Sequence, residues 1–368
     1  MTATPDPHGQ EHGGPASGAP VARAVEPIMH RAARIEDAFH EFRARRARKR
    51  GFLATVVPYT GYGAPTWVRI LGRVVLAKEP KPGSRAERKH RKREESIRGW
   101  RSFISVPVSD VTVTVEIEGD RHEVRPDRGG VIDTVIPVSL TPGWHTVRLT
   151  TPESTRVFEA PVFVVDPKAT FGIISDIDDT VMVTALPRPL LAAWNTFVLD
   201  EHARVPTPGM SVLLERLAAS HPGTPVFYLS TGAWNVAPTL TRFLSRNLFP
   251  AGPLLLTDWG PTHDRWFRSG REHKRTSLSR LAEEFPGLKW LLIGDDGQHD
   301  EQLYGEFTTA HPGNVAAVAI RQLSSGEAVL AGGRSKAEKH SELFGAPWVY
   351  ANDGQGISEQ LKALDILP

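Results

Sequence analysis

The ten residues FGIISDIDDT (171–180) constrain this chain more than any other segment. The apolar run reads as a buried strand, and it stops abruptly in three carboxylates and a hydroxyl. Side chains alternate along a strand, so Asp176 and Asp178 should leave its end on the same side. Two carboxylates held that close raise each other's proton affinity unless a cation or a proton lies between them. Such a pair suits a magnesium site in which one carboxylate attacks phosphorus and the other handles the proton. The plainer alternative is an acidic turn closing a strand, because aspartate favours turns.

Three further segments follow in an order that fits the first alternative. VFYLSTG (226–232) is a second apolar run, ending in Ser230, Thr231 and Gly232, whose hydroxyls and backbone N–H groups could hold a phosphoryl oxygen without adding negative charge. Lys274 stands just before a helical pattern of Leu278, Leu281, Ala282 and Phe285. There it could neutralise a nucleophile and a phosphate together, or be an ordinary solvated cation at a helix start. WLLIGDDGQHD (290–300) is a third strand-like run, ending in a glycine bend with Asp295, Asp296 and Asp300. Magnesium takes oxygen ligands in octahedral geometry, and Asp295 with Asp176 would supply two of them from neighbouring strands. Each segment alone is weak; four in this order point to phosphoryl chemistry.

With those residues in view, the chain resembles the haloacid dehalogenase superfamily of phosphotransferases. More narrowly it is similar to the actin-patch-associated phosphatidate phosphatase family, whose catalytic domain is related to that of the lipins. DIDDT (176–180), Ser230 with Trp234 and Asn235, Asp258-Trp259-Gly260, His273-Lys274, GDDGQHD (294–300) and Tyr304 carry the resemblance. It implies Asp176 as nucleophile and Asp178 as general acid and base. Ser230 and Lys274, with Thr231 and Gly232 beside them, would bind the phosphoryl group. Mg²⁺ would sit on Asp176, Asp178 and Asp295, and Asp300 would support the metal or the lysine. Thr180 and Asp296 are further supporting candidates, and Asp179 is expected behind the site or as a cap on the next turn. The likeness is close over roughly residues 165–325. Ala233 departs from it, standing where the family often has proline, which bears on loop rigidity more than on chemistry.

Composition narrows the classes. A chain of 368 residues with 40% hydrophobic content is expected to build two cores. It has no cysteine, which excludes a disulfide scaffold, thiolate metal sites and a thiol nucleophile. No apolar stretch approaches bilayer-spanning length, and the N-terminus is polar, so a cytoplasmic protein, with peripheral membrane contact as an option, is expected. A formal charge of +2 is too small to argue for nucleic acid. Its distribution says more: Arg43–Arg50 holds six basic residues in eight, and Arg85–Arg93 six in nine. Such runs gain roughly 1 kcal/mol per residue near an anionic lipid surface. More often they are solvated helix faces or loops.

Punctuation sets the organisation. Residues 1–25, rich in Gly, Pro and Ala, are expected to be disordered. Residues 26–51 should form a helix through Ile28, Ala32, Ile35, Phe39 and Phe42. From 52 to 165 short alternating strands are expected at 53–58, 67–76, 111–118, 131–138, 144–149 and 156–165. Together they suggest a β-sandwich domain, with the basic run at 85–93 as a loop insertion. Residues 166–368 alternate strand and helix, which predicts a Rossmann-like, doubly wound parallel α/β sheet of haloacid dehalogenase type. Its strands are expected at 171–176, 225–230, 253–257, 289–294, 315–320 and 346–350. Helices are expected at 211–220, 237–246, 276–284 and 358–363. The chain between motifs is too short for a large cap, so an open cleft is expected.

Some residues admit two readings. Trp194, Trp234, Trp259 and Trp266 could rim a membrane-facing cleft but fit core or cleft wall better. Leu190–Leu199 reads as an apolar flap or a buried helix. His273 and His299 lack partners for a zinc site and read as hydrogen-bonding neighbours. The chain is therefore expected to be a Mg²⁺-dependent phosphomonoester hydrolase working through an aspartyl phosphate, with phosphatidate the leading substrate through the resemblance. The same chemistry on a soluble phosphoester or phosphoprotein is the second reading, and a non-catalytic module binding anionic lipid is the third.

Overall fold

The computed structural model describes residues 42–78, 106–183, 204–257, 263–297, 299–330 and 345–368. The expectations for residues 1–25, the first part of the 26–51 helix, the 85–93 run and the 190–199 segment lie outside them, as do Trp194, Asp258, Trp259 and Gly260. What is described of the N-terminal helix is α1, residues 42–48. Ala44 is buried, and Arg48 donates to Asp110 at 3.1 Å and to Glu153 at 2.8 Å. One cation of the first basic run is thus spent on holding α1 against the strands that follow.

Those strands are β1 (Leu53–Pro58), β2 (Gly61–Ala64), β3 (Trp67–Ala77), β4 (Val106–Pro107), β5 (Val113–Ile117), β6 (Asp120–Val124), β7 (Val131–Pro137), β8 (Gly143–Thr150) and β9 (Phe158–Val164). They hydrogen-bond into one nine-stranded sheet. The long β3 is its centre. Along one edge it pairs antiparallel with β1 through residues 72–77 and with β2 through 67–69, and β7 pairs with it from Trp67 to Arg73. Period-two patterning decides which side is buried: Val113, Val115 and Ile117 of β5 are buried while Thr114 and Glu116 are partly exposed. Val56, Ile70, Val115, Ile132, Leu149 and Val162 are the middle of this core. All six strands expected here form, within two residues at each end. β2, β4 and β6 were not expected; β2 is Gly-Tyr-Gly-Ala, and β6 is too charged to alternate.

From Phe171 the pattern changes to strand and helix in alternation. β10 (Phe171–Asp176), β13 (Val226–Ala233), β14 (Leu254–Thr257), β15 (Lys289–Asp295), β16 (Val315–Arg321) and β17 (Trp348–Ala351) form a six-stranded sheet, while β11 (Met182–Val183) and β12 (Val205–Pro206) pair by themselves. Every pairing in the six-stranded sheet is parallel, and the order is β14-β13-β10-β15-β16-β17. All six residues of β10 are buried, as expected of a parallel strand covered on both faces. The helices are α2 (Met210–Ser220), α3 (Ala237–Arg246), α4 (His263–Glu284), α5 (Asp300–Ala310), α6 (Ser325–Leu330) and α7 (Gly354–Ala363). Strand order reverses around β10, with β13 on one side and β15 on the other. In open parallel sheets a crevice forms there, beyond the carboxyl ends of the strands.

The helix α4 starts at His263, thirteen residues before the expected 276. Its first half is almost wholly polar, so no apolar stripe reveals it, and Lys274 consequently lies inside the helix instead of ahead of it. The two sheets share a core: Tyr62 and Leu71 of the first pack with Phe227 and Trp290 of the second. Tyr62 meets Phe227 edge-on at 4.9 Å between ring centres. No helix among the described residues is long and apolar enough to cross a membrane.

Candidate active site

Asp176 is the last residue of β10 and is 1% exposed. Beyond it the chain makes one tight turn, with Val181 N and Met182 N both donating to Ile177 O at 3.1 Å. The turn requires a left-handed residue, and Asp179 takes it at φ 57°, a conformation aspartate tolerates better than most. Thr180 then comes back over the strand end, and its hydroxyl donates to Asp176 Oδ2 at 3.2 Å. The acids at 176, 178 and 179 are all buried. A plain acidic turn in solvent is therefore excluded.

The neighbouring strand ends and α4 supply partners. Ser230 of β13 donates through Oγ to Asp178 Oδ2 at 2.9 Å and accepts from Gly232 N at 2.9 Å. Thr257 at the end of β14 donates to Thr231 O at 2.9 Å, fixing the segment where β13 and β14 shift register. From α4, Lys274 Nζ donates to Asp176 Oδ1 and to Asp300 Oδ1, both at 2.6 Å, with all three side chains buried. Asp300 opens α5 and also accepts from Asp295 N at 3.4 Å. Asp295, the last residue of β15, accepts from Gly297 N at 2.7 Å. Asp296 lies to one side, its Oδ1 accepting from Leu323 N at 2.8 Å.

Burial dominates the electrostatics. It pushes the Asp176 carboxyl well above the ordinary carboxylate range despite the opposing Lys274 charge. Asp295 is pushed up by burial and by the nearby Asp300 and Asp176 charges. Burial also moves Asp178 up to about 6, with the Ser230 hydrogen bond holding it lower than burial alone would. Lys274 is raised, because Asp176 and Asp300 outweigh the cost of enclosing its charge. Asp176, Asp295 and Asp300 each bring an oxygen within 4.8 Å of the others. Asp178 Oδ1 and Asp295 Oδ2 are buried without a hydrogen-bond partner. Unpartnered buried carboxylate oxygens are costly, and a bound cation removes that cost.

The residues singled out in the sequence thus come together from five elements, β10, β13, β15, α4 and α5, with Asp296 and Thr231 at the margin. Asp300 turns to the lysine with one oxygen and to the Asp295 backbone with the other. Trp234 is buried, and the His273 ring is bonded to the Leu255 backbone. Arg321 escaped notice. It is 4% exposed at the end of β16 and donates to Asp179 O at 2.7 Å, to Asn352 O at 3.2 Å and to Glu327 at 2.7 Å. A lone arginine closing the apolar run VAAVAIR was the available signal. Tyr304 lies beneath the site, donating to Ile293 O at 2.9 Å.

Residues 171–322 match the family model described as phosphatidate phosphatase APP1, catalytic domain. Over these residues the chain is similar to that family's catalytic domain. The APP1-type segment runs from β10 through β16 and contains every site residue named above, from Asp176 to Arg321. Phosphatidate phosphatase APP1 of Saccharomyces cerevisiae is 28% identical over 158 residues, covering 42% of this chain and 26% of the yeast protein. An uncharacterized protein of Schizosaccharomyces pombe is 28% identical over 211 residues, covering 53% of this chain and 33% of its own length. The matched segments therefore span a third or less of these curated relatives. Among solved structures, a carbohydrate acetylesterase from Xanthomonas citri aligns over 76% of this chain and 73% of its own at 10% identity, with a TM-score of 0.25. A likeness that faint carries no argument about the APP1-type site.

Proposed function

We propose that this protein is a Mg²⁺-dependent phosphomonoester hydrolase that works through an aspartyl phosphate, with phosphatidate as substrate and diacylglycerol as product. The observation that carries the proposal is the buried lysine of α4 held between Asp176 and Asp300, with Asp178 and Asp295 each offering an unpartnered oxygen beside it. We read residues 166–368 as a doubly wound domain of haloacid dehalogenase type and residues 52–165 as a β-sandwich domain. The strand order 3-2-1-4-5-6, counted along the chain, supports the first reading.

In this reading the Asp176 carboxylate attacks phosphorus in line, forming an acyl phosphate as the bond to the ester oxygen breaks. Asp178, which burial brings up to about 6 and so leaves protonated in only a fraction of molecules at neutral pH, gives its proton to the departing alkoxide. It then takes a proton from the water that attacks the aspartyl phosphate, which returns Asp176 and releases phosphate. Lys274, the Ser230 hydroxyl and the backbone N–H groups near Thr231 and Gly232 hold the equatorial oxygens as charge redistributes. Asp176 and Asp295, with Asp178 beside them, would hold Mg²⁺, whose charge offsets the repulsion between an anionic nucleophile and an anionic phosphate. Asp300 serves the lysine, since both of its oxygens are already engaged.

The lipid substrate rests on the yeast relative's name and on the basic run 43–50, from which Arg48 is withdrawn by its two carboxylates. An enzyme of this kind would meet its substrate from the cytoplasmic face of a membrane. The test is phosphate release from phosphatidate in mixed micelles beside a panel of soluble phosphomonoesters, with Mg²⁺ and with chelator. Magnesium-dependent release that prefers phosphatidate is expected. Release from soluble esters alone would retain the chemistry and remove the lipid. A folded Asp176→Asn variant should show no turnover, and appreciable residual rate in it would overturn the nucleophile assignment.

A further inference from the structure

The turn that follows β13 is secured from outside its own stretch of chain. Ala233 is extended and opens a single turn of 3₁₀ helix, Trp234–Val236, whose start carries no side-chain cap. Its first carbonyl, Trp234 O, already accepts the Ala237 N–H. A second donor reaches the same oxygen from far away in sequence: Tyr59 Oη donates to it at 2.9 Å. The Tyr59 ring also lies flat on the Trp234 indole, with ring centres 4.8 Å apart and planes 13° from parallel. Tyr59 sits at the break between β1 and β2, and its own N–H is tied to Leu71 O at 3.0 Å. It is buried, as is Trp234.

The same β-sheet also grips the cationic arm of the site. Glu284 closes α4, the helix that carries Lys274, and it accepts from Tyr62 Oη at 2.8 Å and from Arg69 at 2.5 Å. Arg280 of α4 donates to Asp133 of β7 at 3.0 Å. The two elements that hold Ser230 and Lys274 are therefore both fixed by the nine-stranded sheet. Neither contact touches the acids themselves.

We propose that Tyr59 is a positioning residue for the Ser230–Trp234 segment, making the β-sheet unit a working part of the phosphoryl-binding site. Stacking fixes the plane of Trp234, and the hydroxyl fixes the height of its carbonyl. Gly232, two residues upstream, holds the Ser230 hydroxyl that points at Asp178. Small displacements of groups that must meet a transition state are expensive in rate, up to about a hundredfold per ångström. The kinetic consequence rests on the phosphatase reading above; the structural one does not.

The test uses the full chain and two substitutions. Tyr59→Phe keeps the stack and removes the bond, while Tyr59→Ala removes both; Tyr59→Phe also serves if the alanine variant does not fold. Amide hydrogen exchange is followed at residues 230–236, with β5 and β8 as internal reference. The expected result is faster exchange at 230–236 in Tyr59→Phe, unchanged exchange in β5 and β8, and an unchanged melting temperature. With phosphatidate or a soluble ester, kcat should fall about tenfold while KM stays within about twofold. Val157→Ala, at an exposed position just before β9, should keep parental rates and exchange. Parental exchange at 230–236 in Tyr59→Phe would overturn the inference, as would parental kcat. If the parent hydrolyses nothing, the phosphatase reading fails, and the exchange result still decides the role of Tyr59.

Discussion

Lys274 Nζ stands 2.6 Å from Asp176 Oδ1 with neither side chain more than 3% exposed. An ammonium so enclosed keeps its charge only because carboxylates surround it, and a second one, Asp300, lies at the same distance. The lysine and at least one carboxylate are therefore ionised together. Such a trio contributes little net stability compared with an apolar core of the same volume, but removing one member is costly.

Lys274→Met should lower unfolding free energy by about 3–5 kcal/mol, since it leaves two carboxylates buried without a cation. The double variant Lys274→Met with Asp300→Asn should lose less than the sum of the single losses, because the second change removes part of the repulsion left by the first. Urea denaturation of the four proteins measures this. Strict additivity would contradict the trio. Turnover should fall at least a hundredfold in either lysine variant.

Magnesium should stabilise the fold. At a hundredfold excess over its dissociation constant, a ligand bound only by the native state adds about 2.7 kcal/mol. Asp295→Asn should abolish that response by removing a ligand. The same substitution should leave the metal-free protein at least as stable as the parent, because it replaces a carboxylate whose Oδ2 is buried without a partner. Thermal melts with Mg²⁺ and with chelator, on parent and variant, give both numbers. An equal magnesium shift in the two proteins would remove Asp295 from the metal site.

Much of this was readable before any coordinates, for reasons that can be named. β10, β15 and β16 are covered on both faces, so they appear as unbroken apolar runs, and their ends are marked where polar residues begin. Asp176 and Asp295 could be located because they stand at those ends. α3 was legible to the residue, since Pro238 sets its start and an apolar stripe of Leu240, Phe243 and Leu244 follows. The first half of α4 was not, because its residues carry no apolar stripe that would announce a helix. Arg321 and Tyr59 were missed for a different reason. Each acts through a backbone carbonyl, Asp179 O or Trp234 O, and a carbonyl acceptor leaves no trace in residue type.

His273 adds an acid-sensitive term to stability. Burial holds its imidazole down at about 4, against an ordinary value of 6.5, and its Nε2 is enclosed without a partner. The folded value lies below the unfolded one, so between pH 6.5 and 4 the unfolded chain binds the proton first. Stability from this residue is therefore complete above pH 6.5 and falls as pH drops through that window, by up to about 1.4 kcal/mol per unit. Buried Asp176 and Asp295 act in the opposite sense, so the informative quantity is the difference between proteins. His273→Gln should flatten the slope of unfolding free energy between pH 7 and pH 5 relative to the parent, by about 1–2 kcal/mol in total. An identical slope would show that the ring is protonated as easily in the fold as outside it.

Gly294 lies one residue before Asp295, where β15 passes the start of α5. A Cβ there would stand 2.7 Å from both Cβ and Oδ2 of Asp300 and 2.8 Å from the Tyr304 ring. The ring cannot give way easily, because Tyr304 is fully buried and its hydroxyl is tied to Ile293 O. Asp300 is the side chain that must move, and its Oδ1 is a partner of Lys274. Gly294→Ala should therefore cost about 1–3 kcal/mol through overpacking. It should also lower turnover more than that loss explains at a temperature where the variant is fully folded. Asp300→Asn, which keeps the shape of the side chain and removes its charge, separates the two effects. If displacement of Asp300 from the lysine is what matters, adding Gly294→Ala to Asp300→Asn should cost stability again but little further activity. A full second loss of activity in the double variant would mean that the glycine acts through Asp295 instead.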